Sequence, residues 1–324
     1  GSGSTGVVNI NTTGSFTSAR EVVVGYNSGK GTLNLQAGTM TVNQVFRVGS
    51  SGTGSNGTVN QTGGTLALNN AVRIGATTNA VTDFNIGAGT STNVSSSGTV
   101  RIGEGAGSTN TVDIDGTLNM LSTSGEGSLR IGHNSNTTTA TNTNTGTADG
   151  ASNSTRYMIH GYAGNTGSLN TLNINGGTVK VASTATRWMK IGNWDGQNSV
   201  TNITNGGTLK LNTNTNIKMG FEASVSGSHT INVDGGSIIG YIDNGTSTAN
   251  ASATIDMSYR SNTMSAALNI KNGGLVQVRA IFSNNNNTSA VINFDNGTLR
   301  ATGDDLNLIR LNGTGTRQVN LLTG

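Results

Sequence analysis

The chain's 324 residues include only fifteen acids, so candidate acid–base chemistry can be checked pair by pair. Asp113 and Asp115 alternate along one run and face the same way if that run is a strand. Asp304 and Asp305 are adjacent, and Glu104 and Glu126 fall in Gly/Ser-rich turns. Glycoside hydrolysis needs two carboxylates at a defined separation, in a groove with aromatic rings for the sugar. Aromatics make up 4% of residues, and only Tyr157, Trp188 and Trp194 sit at related places in the sequence. His133, His160 and His229 are far apart and lack a local acidic partner; His160 falls in a slot otherwise held by the apolar Ile191. Cysteine is absent, which removes thiolate metal sites and disulfides. The Gly-Glu-Gly around Glu104 precedes no helix, so it is a turn and not a phosphate loop. No catalytic residue, metal site or cofactor is assigned, and the chain is not read as an enzyme; a polysaccharide-degrading activity ranks third among the readings.

Cations are better organised. Arg47, Arg73, Arg101, Arg130, Lys190 and Lys218 each sit between two apolar residues shortly before a glycine, and Arg310 is a late member of the set. If those segments stack, the cations form an outward ridge. One reading is a solvated face that discourages lateral strand pairing. The other is a face for acidic polysaccharide, with Trp188 and Tyr157 as a sugar-stacking spot, and steep salt dependence would mark it. The net charge of +3 is mild for this length, and no nucleic-acid partner is expected.

What must position these residues is a repeated phrase. Residues 57–75 read GTVNQTGGTLALNNAVRIG and residues 168–192 read SLNTLNINGGTVKVASTATRWMKIG. Each has an apolar–Asn–apolar triplet, a Gly-Gly-Thr, a second alternating run, and a third run ending in apolar–Arg/Lys–apolar–Gly. The triplet Asn recurs at Asn9, Asn34, Asn60, Asn85, Asn173, Asn202, Asn232, Asn269, Asn293 and Asn320, with Asp113 in the same slot. A degenerate copy fills about 137–161, and the phrase loosens after 237. Strand-type alternation without a helical period, at a spacing in the twenties, predicts an all-β chain. The fold is a single parallel β-helix (β-solenoid) over 1–324, with three short strands per rung and about eleven or twelve rungs. Apolar residues then point inward and the residue between them outward. The second face carries a mixed column that includes Thr41, Ala67, Lys180 and Lys210. Mixed columns of this kind lack the Thr-x-Thr array that ice binding requires.

Composition agrees. A hydrophobic content of 32% cannot fill a wide core but suits one that is one or two side chains across, and proline is absent, as a chain that needs nearly every N–H in a ladder requires. No apolar run approaches a membrane span. The chain opens with Gly/Ser and runs directly into Val7, Val8, Asn9 and Ile10; it closes on Val319, Asn320, Leu321 and Leu322, with no amphipathic helix to cover either end. Truncation of a longer repeat protein is one explanation. Pairing of the last rung of one copy with the first rung of the next is the other, and a heterologous contact of that kind builds an open filament. On that view, removing residues 318–324 or placing a proline at Val319 is expected to leave a monomer.

The phrase Gly-Thr-Leu-x-Leu, Gly-Gly-Thr-Val-x-Val, Arg-Ile-Gly resembles the Gly/Thr/Asn-rich repeats of bacterial secreted β-strand-repeat proteins, found in autotransporter passengers and in surface proteins with a sorting tail. The resemblance runs over nearly the whole chain. It implies an extracellular or cell-surface location and a structural or adhesive role. The expected function is therefore a structural subunit of an extracellular fibre or coat, a head-to-tail homopolymer. The alternative is an adhesin presenting its basic face to glycans.

Overall fold

The computed structural model describes residues 3–95, 99–121, 128–132, 137–143, 147–150, 157–160, 169–181, 187–193, 196–212, 215–221, 226–241, 252–261, 263–285, 288–303 and 307–322. The chain is a parallel β-solenoid, as the alternation of its sequence requires. Every named element is a strand, and the strands assemble into one 21-stranded and one 11-stranded sheet. The larger sheet holds two faces of each rung, because Thr5–Ser18 and Lys30–Val42 run around the corner between them. The third face begins with Val22–Tyr26 and ends with Ile309–Leu311.

Register follows the repeat. On the first face Asn9, Asn34, Asn60, Asn85, Asp113, Thr141, Asn173, Asn202, Asn232, Asn269, Asn293 and Asn320 are successive partners. Thr141 belongs to the degenerate copy, whose strands Thr137–Thr143, Thr147–Gly150 and Tyr157–His160 occupy one place on each face. The second-face column passes through Thr41, Ala67, Lys180 and Lys210 and ends at Arg300. After Ser237 the signature weakens, yet pairing continues through Leu275–Val278 to Thr298–Ala301.

A one-residue slip would turn every apolar side chain to solvent, so burial holds the register. In the rung around Val59, the residues Val59, Leu66, Leu68, Val72 and Ile74 are all buried. Larger residues fill where the section allows, as with Phe46 and Phe84, whose rings lie 6.2 Å apart. The polar intrusion at Gln61 is paired: buried Gln61 donates from Nε2 to the carbonyls of Gly64 and Ser91, and the Thr92 hydroxyl donates to Gln61 Oε1 at 2.6 Å. Unpaired buried amides would cost a few kcal/mol each, so these bonds are what makes Gln61 tolerable in the core.

Candidate functional site: the end rungs and the basic face

The Asn column is an amide ladder with a direction. Asn34 Nδ2 donates to Asn9 Oδ1 at 2.7 Å, Asn60 to Asn34 at 2.9 Å and Asn85 to Asn60 at 2.9 Å. The same sense resumes from Asn202 to Asn173 and runs through Asn232, Asn269 and Asn293 to Asn320, which donates to Asn293 at 2.7 Å. Each Nδ2 therefore points toward the preceding rung. At the first rung Asn9 Nδ2 points outward along the axis, and at the last rung Asn320 Oδ1 does. Around those termini of the ladder the expected end residues lie as follows. Val7 and Val8 are more than half exposed, Asn9 is exposed and Ile10 is buried. At the other end Val319 and Leu322 are exposed, and Leu321 is 81% exposed. The first rung also opens on an apolar trough lined by Val8, Ile10, Phe16, Val22, Leu33 and Met40. The last strand, Arg317–Leu322, pairs with Ser289–Asp295. Its Arg317 takes a slot that is Ala290 one rung earlier, and its guanidinium donates to the Asn285, Thr288, Asn312 and Thr316 carbonyls.

The basic column is in register as expected, through Arg47, Arg73, Arg101 and Arg130, then Lys190 and Lys218, with Arg310 last. Two points qualify the picture of an uninterrupted outward ridge of cations. Ile159 interrupts the column between Arg130 and Lys190, and Asp256 and Phe282 follow Lys218. Moreover, the cations have partners from the turns. Arg47 pairs with Glu21 at 3.1 Å, while Arg73 and Arg101 both reach Glu104 Oε1, at 3.6 and 3.0 Å. Glu104 sits in a turn, as its sequence context predicted; what its context did not reveal is that the side chain reaches back onto the face.

Trp188 is the register partner of Tyr157, whose side chain lies outside the described residues. Its ring neighbours are instead Phe221 and Tyr259, with centroids 5.3 and 6.3 Å away, and both come from turns that periodicity does not place. Lys218 Nζ lies 4.0 Å from the Trp188 ring centroid and 3.4 Å from that of Tyr259; Lys190 Nζ lies 3.5 Å from that of Phe221. The ring faces that would receive a sugar are thus engaged by cations of the same chain, a favourable pairing of ammonium with the ring quadrupole. Beside them, burial pushes the Asp256 carboxyl up to about 6, with the Ser258 N–H and the Lys218 charge acting the other way.

Among the described residues the acids and histidines form no cluster that could hold a metal ion. Burial raises the Asp113 carboxyl above its ordinary value, and the charges of Asp115 and Asp83 add to the effect. Among the described residues no helix is long and apolar enough to cross a membrane. His160 pairs in register with Ile191, as its slot predicted. His229 is wholly buried, and the loss of solvent lowers its imidazole to about 4. His133, Glu126, Trp194, Asp304 and Asp305 lie outside the described residues. No family model matches this chain, and no curated protein or solved structure is significantly similar to it.

Proposed function

We propose that this chain is a structural subunit of an extracellular fibre or surface coat, in which the last rung of one copy receives the first rung of the next. The observation that carries the reading is the directed amide ladder. Asn9 of an incoming copy, set over Asn320, presents Nδ2 to Oδ1 in the same sense as every resolved step of the column. Head-to-head or tail-to-tail contact would bring donor to donor or acceptor to acceptor. The flanking residues agree, since Val319-Asn320-Leu321 and Val8-Asn9-Ile10 share one apolar–Asn–apolar pattern. The mode is β-augmentation, in which main-chain bonds supply affinity and side-chain register supplies selectivity.

Among the described residues Arg317–Leu322 is the last strand and lies on the first face, so between two copies of this chain the seam would be one strand wide. This alters one expectation. Removing 318–324 does not abolish the edge but moves it to Ser289–Asp295, flush with Thr298–Ala301 and Ile309–Leu311. A sharper test is Asn320→Lys, which sets a cation against the incoming Asn9 amide, followed by Asn9→Asp in the same chain to supply a carboxylate. Electron microscopy and sedimentation should show rods longer than one molecule for the parent, monomers for Asn320→Lys, and rods again for the double variant. A parent that stays monomeric, or an Asn320→Lys variant that assembles as before, overturns the proposal.

A further inference from the structure

We infer that Arg47, Arg73 and Arg101 form a strip that binds an extended carboxylate-bearing polysaccharide, with Glu104 as the built-in counter-charge that the ligand displaces. The three arginines are register partners on consecutive rungs of one flat face, about 4.8 Å apart along the axis. Their side chains keep about a quarter to a third of their exposure (24%, 31% and 26%), so the guanidinium heads reach solvent. Pairing within the strip is incomplete. Arg73 and Arg101 each use one terminal nitrogen, and both converge on a single oxygen of Glu104. Glu104 Oε2, Arg73 Nε and Arg101 Nε are buried beneath the strip without a hydrogen-bond partner. A guanidinium fork is matched by a carboxylate of its own in a two-bond pair, which is stronger and more directional than a shared single contact. Two cations sharing one anion therefore leave one net positive charge on the partly exposed strip for an incoming carboxylate.

The shape of the strip selects the ligand. A straight row of cations can follow an extended polyuronate along its length. Duplex phosphates wind away from such a row after a few contacts. Single-stranded bases need aromatic platforms, and the rings of this face, Trp188, Phe221 and Tyr259, are engaged by Lys190 and Lys218 on later rungs.

The test is titration of the full chain with polygalacturonate at a series of salt concentrations, with neutral dextran, duplex DNA and a single-stranded oligonucleotide as comparisons. Binding to polygalacturonate should fall steeply as salt rises and be absent with dextran. Arg73→Gln/Arg101→Gln should weaken it about tenfold or more, the loss expected for charge-assisted bonds. Glu104→Gln should strengthen it several-fold, an outcome that mere damage to the fold does not produce. No binding at low salt, a Glu104→Gln variant that binds no better, or DNA bound as tightly as polygalacturonate would each overturn the inference. The positions lie away from both end rungs, so filament formation is unaffected by these variants and the two proposals fail separately.

Discussion

A side-chain amide can sit in a ladder because it both gives and accepts a hydrogen bond; an ionised carboxylate can only accept. Asp113 takes the ladder slot above Asn85 but has no proton to give to Asn85 Oδ1 while it is charged. Its carboxyl is also held above the ordinary range by burial and by Asp115 and Asp83. Asp113→Asn is therefore expected to stabilise the fold at neutral pH by about 1 kcal/mol, the net worth of one hydrogen bond. Chemical denaturation at pH 7 checks this, and the gain should shrink in acid, where the parent carboxyl is protonated. By the same logic Asn202→Ala, which removes the bonds to Asn173 and from Asn232, should cost about 1–2 kcal/mol. His229 makes the opposite kind of demand. Its folded imidazole takes a proton only at about 4, against 6.5 for an ordinary histidine. Between those values the unfolded chain holds a proton that the folded chain does not. The stability tied to a neutral His229 is thus complete above about pH 6.5 and is lost as pH falls toward 4, a change on the order of 3 kcal/mol. Asp256, raised to about 6, works in the reverse sense, its contribution fading as pH rises through that value. The two partly offset each other, so the measurement is the difference between the parent and His229→Ala across pH 4–7. A difference that does not change with pH would rule out the titration of His229 as its cause.

At the scale of one rung, corners matter more than strands. Gly75 and Gly192 close their third-face strands at φ of +65° and +67°, a region that side chains rarely enter. Both also lie against inward polar side chains of a first-face strand two rungs further along the chain. An added Cβ at Gly75 would collide with the Asn110 amide, and one at Gly192 with the His229 ring. Those polar residues belong to one column, in which Thr82 and Asn110 are register partners, as are Asn170, Ser199 and His229 on later rungs. Thr82 and Asn110 satisfy one another at 2.8 Å, and Asn110 also donates to Ser108. Gly192→Ala should accordingly destabilise by about 1–2 kcal/mol from the backbone alone, with more from the collision. Adding His229→Ala should recover the collision component but not the backbone component, so the double-mutant cycle is predicted to be non-additive. Thermal or urea unfolding of the four species measures it.

For the whole molecule, stability is a sum of rung and nearest-neighbour terms. The last strand carries an inward charge, Arg317, at a place where the two preceding rungs have alanine, Ala266 and Ala290, and inward charges blunt exposed edges. Deleting 317–324 removes both the charge and the unmatched strand. If end pairing builds the fibre, this truncated chain should assemble more readily than the parent, with a shorter lag and longer rods in electron microscopy. A truncated chain that stays monomeric under conditions where the parent assembles would count against end pairing.

The sequence alone determined the rung. Alternation in Val59-Asn60-Gln61 and Leu66-Ala67-Leu68 states which side of the strand is buried, and the spacing of the marker Asn places one copy over another, because a two-residue period and a stacked register leave no other consistent arrangement. It likewise placed Arg47, Arg73 and Arg101 in one column. What it could not contain was the direction of the amide ladder, the reach of Glu104 back to two arginines, or the covering of Trp188 by Lys218. Each depends on rotamers and turn conformations that bring together residues without a fixed offset in the repeat. Periodicity describes what recurs, while those contacts are made by residues that occur once, and only the packed chain decides where they meet.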